Sequence, residues 1–196
     1  YPVDYRYRPR EQQYHKYQWI SVDLKARGKG NDDRKESRQP ILESIQALGK
    51  PLSTERGWAE RRTIIDPLPH RTVNEYRRLF DEDKTSLGVV RPKRILDLEV
   101  EPVERQWKPE WEALFQQMRL FDEPQKMLEK IPYKFSYVFE CEDSDRPHRT
   151  MCEDWELGIL FLKEVERLGS EEAAVRSVRD KFLNELCAPT KDTCFF

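Results

Sequence analysis

Residues 133–168 read YKFSYVFECEDSDRPHRTMCEDWELGILFLKEVERL, two different periodicities set end to end. Tyr133, Phe135, Tyr137, Phe139 and Cys141 alternate with Lys134, Ser136, Val138, Glu140 and Glu142. A period of two is the repeat of a strand with one face in the core. The polar run Asp143 to Pro147 predicts a turn, and His148 to Cys152 a short return strand. From Trp155 the period changes: Leu157, Leu160, Phe161, Val165 and Leu168 fall at helical spacing, and Gly169 stops the helix. A row of aromatics has to leave water, so the helix over 157–168 is expected to cover Phe135, Tyr137 and Phe139.

Past Gly169, Ser170 predicts the cap of a further helix with Val175, Val178, Phe182 and Leu186 on its apolar face, ending before Pro189. Upstream, Pro109 opens a helix whose stripe is Trp111, Leu114, Phe115, Met118 and Phe121. Leu96, Leu98 and Val100 alternate with Asp97, Glu99 and Glu101 in a strand closed by Pro102, and Leu87 to Val90 is a shorter one. Thr72 and Glu75 form a capping box ahead of a helix that buries Val73, Tyr76, Leu79 and Phe80 and turns Arg77 and Arg78 outward. Ser53 to Asp66 is the helix before it, stopped by Pro67 and Pro69. Ile20, Val22 and Leu24 mark a strand, Ala26 to Ser37 an exposed loop, and Pro40 to Leu48 fits a helix or a hairpin return equally well.

These elements predict an α+β fold of mixed strands covered by helices. Charge divides it. Residues 1–94 carry 21 Lys and Arg against 14 Asp and Glu, and residues 95–196 carry 14 against 23, although the whole chain is only −2. The expected organisation is a basic lobe over 1–103 and an acidic lobe over 104–196, parted at Glu104 to Lys108 between Pro102 and Pro109. The chain opens at Tyr1 rather than Met and ends in Cys194-Phe195-Phe196, an apolar run like the start of a strand; a fragment of a longer protein is expected. Five Trp and nine Phe exclude wholesale disorder. No run approaches the roughly 18 apolar residues of a membrane span and no basic-then-apolar leader appears, so the expectation is a cytoplasmic protein with no membrane partner.

The candidate binding residues are Arg6, Arg8, Arg10, Arg61, Arg62, Arg77, Arg78, Arg91, Lys93 and Arg94, which recur through the first half with aromatics between them. Arg and Lys pair with phosphates, and Tyr or Arg planes stack on bases. The function expected first is therefore a nucleic-acid-associated module with DNA or RNA as partner. A scaffold or subunit that binds another protein is the alternative, since two oppositely charged halves can simply attract each other.

A metal-dependent nuclease is the third reading. Glu140, Glu142, Asp143, Asp145, Glu153, Asp154 and Glu156 crowd the hairpin, and Asp66 with Glu82-Asp83-Lys84 has the letters of a D…E-x-K site. That order belongs on adjacent strands, however, whereas these residues end predicted helices. Cys141, His148 and Cys152, spaced C-x6-H-x3-C, are ligands zinc accepts, but they number three and include no CxxC knuckle. They are read as two buried thiols and a surface histidine, with no metal and no cofactor; a disulfide is set aside because nothing else indicates secretion. The GKG triplet at 28–30 lacks the rest of a phosphate loop, and His15, His70 and His148 stand in no triad context, so no catalytic residue is assigned.

Overall fold

Two units divide the chain, one of residues 1–90 with Phe196 and one of residues 91–195. The computed structural model describes residues 13–25, 32–110 and 129–196. The fold is α+β, as expected, and no helix among the described residues is long and apolar enough to cross a membrane.

In the first unit the strands are short and pair two by two. Of β1 (Trp19–Ser21), β2 (Leu24–Lys25), β3 (Gln39–Pro40) and β4 (Gln46–Leu48), β1 runs antiparallel to β4 and β2 to β3. This settles residues 40–48 as a hairpin return, with one 3-10 turn at Leu42–Ser44. Ser44 Oγ holds that turn to the outgoing strand by accepting the Asp23 N–H at 2.7 Å. After α1 (Glu55–Ile65) and β5 (His70–Arg71), α2 (Val73–Asp83) starts on the predicted capping box. Thr72 Oγ1 accepts the Glu75 N–H at 3.2 Å, and the Glu75 carboxylate accepts the Thr72 N–H at 2.8 Å. β6 (Val89–Val90) then lies parallel to β5. The Val89 N–H donates to the Tyr76 hydroxyl at 2.9 Å, which ties α2 to the strand behind it. Among the described residues of this unit, Ile45 and Val89 are the buried apolar side chains.

The second unit is built on a three-stranded antiparallel sheet, β7 (Arg94–Pro102), β8 (Tyr133–Glu140) and β9 (His148–Met151), with the aromatic strand in the middle. Because β7 is paired with β8 along its length, it belongs to the second unit, which begins at Arg91. A bulge between Ile95 and Asp97 changes the expected faces of β7. Ile95 sits opposite Phe139, and Leu98 is wholly buried, while Leu96, expected on the same face as Leu98, is left exposed.

α3 (Trp155–Leu168) lays Phe161 against Tyr133 and Phe135, edge to face at 5.5 and 6.3 Å. Phe195 lies 5.1 and 4.8 Å from the rings of Phe139 and Tyr137. Asp154 caps α3 and Gly169 ends it in the left-handed region at φ 65°. Ser170 then caps α4 (Glu171–Arg179), which runs into a π turn over Asp180–Glu185. There the Leu186 N–H reaches back five residues to Lys181 O, so the Phe182 carbonyl loses its α-helical partner and accepts the buried Tyr137 hydroxyl at 3.0 Å. The helix expected from Pro109 lies, from Trp111 onward, outside the described residues, as does the 26–31 part of the predicted loop.

Candidate nucleic-acid interface

The lead-in to β7 and the segment that follows the π turn together make a concave surface in the second unit. Arg91 to Arg94 enter β7 along one wall, where Lys93 N–H donates to Glu140 O at 2.8 Å. The segment leaving the π turn forms the other wall. Between them lies a cleft of about 240 Å³ that gathers Arg91, Lys93, Arg94, Lys191 and Asp192. The three cations predicted there are thus brought together and joined by a fourth from 97 positions beyond Arg94. Each of the three is also ion-paired: Arg91 with Asp192 at 3.1 Å, Lys93 with Glu142 at 3.4 Å and Arg94 with Glu140 at 3.0 Å. Cys187, on the cleft wall, donates its thiol to the Tyr137 oxygen at 3.7 Å. Burial pushes that thiol up and keeps it protonated, which leaves it a packing group rather than a nucleophile. Burial likewise raises the Tyr137 phenol, so it stays a donor to Phe182 O.

The remaining predicted cations are in the first unit. The Arg61 guanidinium sits 3.7 Å from the Tyr17 ring centre and 4.8 Å from that of Trp58, and donates to Leu52 O at 3.1 and 3.2 Å. Both aromatic walls stand on left-handed backbone, Tyr17 at φ 61° and Trp58 at φ 66°. Non-glycine residues take that region at a cost of about 1–2 kcal/mol each. Such strain gathers at functional sites more than elsewhere. Arg62 pairs with Asp66 at 3.0 Å. Arg77 and Arg78 are exposed on α2 and loosely held, by Asn74 at 3.3 Å and Glu82 at 3.8 Å. Arg6, Arg8 and Arg10 lie outside the described residues.

Sequence reasoning missed Lys191, which follows a helix stop and belongs to no basic run, and the Tyr17 and Trp58 walls, whose backbone no period reveals. It also misplaced His148, which is buried, not at the surface. His148 pairs with Phe139 across the sheet, so its ring is carried inward to 5.8 Å from that phenyl. Cys152 does not join Cys141 and His148. Its N–H bonds Phe135 O at the far end of the strand pair, six residues from Cys141 along β8 and so about 20 Å away. None of the four cysteines is in a disulfide. Asp66 caps the end of α1 and Glu82 and Asp83 close α2, with Asp83 bound to Lys35 at 2.5 Å, so these residues do not assemble the strand-borne geometry of a D…E-x-K site.

Two family models match the chain. One, described as a domain of unknown function (DUF8757), covers residues 69–196; the other, described as a domain of unknown function (DUF8758), covers residues 1–67. No curated protein and no solved structure matches it.

Proposed function

For a chain that belongs to the family described as a domain of unknown function (DUF8757), we propose a cytoplasmic, nucleic-acid-associated module that seats backbone phosphates of DNA or RNA in the cleft of Arg91, Lys93, Arg94 and Lys191. The convergence of those four cations on one concave surface carries the reading. Their carboxylate partners do not oppose it strongly. The pairs are solvent-exposed, and exposed pairs contribute about 0–1 kcal/mol, whereas guanidinium-to-phosphate bonds are charge-assisted and frequently bidentate. In the first unit, taken by itself, Trp58 is 44% exposed with Arg61 4.8 Å from its ring centre, a separate plane on which a base can lie.

The test is fluorescence anisotropy of labelled single- and double-stranded oligonucleotides with the intact chain. Binding at about 50 mM salt should weaken linearly in log–log terms, with a slope near −0.7 or −0.9 per phosphate contact. Replacing Arg91, Lys93 and Arg94 by Gln should flatten that slope by about two to three contacts with little change in sequence preference. If the loss follows Arg77→Gln with Arg78→Gln instead, the contact surface is α2 and the cleft is not the site. A folded chain that binds neither oligonucleotide at low salt removes the nucleic-acid reading altogether.

A protein-binding subunit is the second reading, favoured by a separate observation. In the first unit Trp19, Trp58 and Leu87 are exposed at 56, 44 and 68% while the buried apolar residues described there are two. Exposed indole and leucine side chains are groups that a protein partner could cover.

A further inference from the structure

We propose that the β8–β9 turn is a zinc site, with the Cys141 thiolate, a carboxylate oxygen of Asp143 and a ring nitrogen of His148 as protein ligands and water in the fourth position. Their ligand atoms all lie within 4.8 Å of one another, and no second such group of His, Cys, Asp and Glu occurs among the described residues. The grouping differs from the C-x6-H-x3-C spacing visible in the sequence: the hairpin removes Cys152 to its far end and folds Asp143 in, so the pattern is C-x-D-x4-H.

The ligand set is one of soft thiolate, imidazole and a single carboxylate, which suits tetrahedral zinc better than magnesium or calcium. Bonds of about 2.3 Å to sulfur and about 2.0–2.2 Å to nitrogen and oxygen put the ligands of a tetrahedron about 3.3–3.8 Å apart. The contraction required is about 1.5 Å at most, and Asp143 lies exposed on the turn. The other two ligands are held in place already. Cys141 is 2% exposed at the end of β8, and the His148 ring is packed on Phe139 at the start of β9. Two buried ligands and one exposed ligand leave the ion reachable from solvent on the Asp143 side, the arrangement of a site that keeps an open coordination position. Glu142, between two of the ligands, pairs with Lys93 of the cleft, so one turn serves both places; the zinc assignment does not depend on the phosphate reading.

The experiment is titration of the intact, metal-free chain with Zn²⁺ by calorimetry, and with Co²⁺ as the optical probe. One equivalent should bind, with release of protons as thiol and imidazole are engaged. Co²⁺ should give a thiolate-to-metal charge-transfer band that Cys141→Ser abolishes. Asp143→Asn, at an exposed position, should weaken affinity about tenfold or more, and Cys152→Ser should bind as the parent does. The proposal is overturned if the parent shows no saturable binding or no thiolate band, if Asp143→Asn binds as tightly as the parent, or if Cys152→Ser is the variant that loses the ion.

Discussion

A methyl group on Gly88 would fall 1.9 Å from the Tyr76 ring, in space the tyrosine already fills. The ring cannot simply swing away, because its hydroxyl accepts the Val89 N–H at 2.9 Å and donates to Pro69 O at 3.0 Å. Gly88 is needed for close approach, not for a left-handed turn. Gly88→Ala should therefore cost about 1–3 kcal/mol, the usual range for overpacking. The measurement is the urea midpoint of the variant against the parent at unchanged m-value; an unmoved midpoint would mean that α2 and β6 separate at no cost. Nothing in the sequence marks this glycine as different from the others. Its requirement comes from a ring twelve residues upstream, and only the parallel pairing of β5 with β6 brings the two together.

The α3–α4 hairpin carries an acid-sensitive tie. The Arg167 guanidinium, 2.6 Å from Glu164, and then a hydrogen bond from Ser177 on α4 hold the Glu164 carboxyl down at about 2, against 4.5 for an ordinary glutamate. A depressed folded value means that the unfolded chain takes up the proton first. The contribution is whole above about pH 4.5 and is lost as pH falls toward about 2. Glu164→Gln should therefore abolish part of the acid limb of the pH–stability curve below about pH 4.5 and leave its neutral-to-alkaline side unchanged in shape. Thermal unfolding between pH 2 and 7 checks it, and an identical acid limb in parent and variant would remove the tie. This hairpin was legible in the sequence because its signals are local: the helical period from Leu157, Gly169 as stop and Ser170 as cap. The capping box at Thr72 was legible for the same reason. What stayed hidden depends on residues far apart. The bulge that exposes Leu96 is fixed from α4, where Arg179 donates to Leu98 O at 2.8 Å and to Asp97 Oδ1 at 2.7 Å. The cleft joins cations from both ends of the second unit. The alternation that identified β8 placed Phe135, Tyr137 and Phe139 on a buried face, but it did not show that Ser136 on the other face is wholly buried or that Phe195 lies against Phe139.

Among the described residues, burial is unequal between the units. Leu98, Phe135, Tyr137, Phe139, Leu157, Phe161, Val178 and Phe182 are buried in the second, against Ile45 and Val89 in the described part of the first. Local opening follows buried apolar contact. Native-state hydrogen exchange should accordingly find the β8 amides among the last to exchange and those of β1 and β4 among the first; equal protection in the two sheets would contradict this account of the cores. The π turn bears on the second unit in another way. Closing its ring over five residues instead of four accommodates one residue more than an α-helix would, and each residue turns a helix by about 100°. Deleting one residue from Leu183 to Glu185 would turn the Lys181–Leu186 bond into an ordinary α-helical one, set Phe182 O against the Cys187 N–H, withdraw the acceptor from Tyr137 and swing the segment Cys187 to Thr193 through about that angle. Lys191 and Asp192 would leave the cleft with every side chain lining it still present. The aim of that wall is therefore set by residue count rather than by chemistry, and a single-codon deletion outside the cleft would dismantle it.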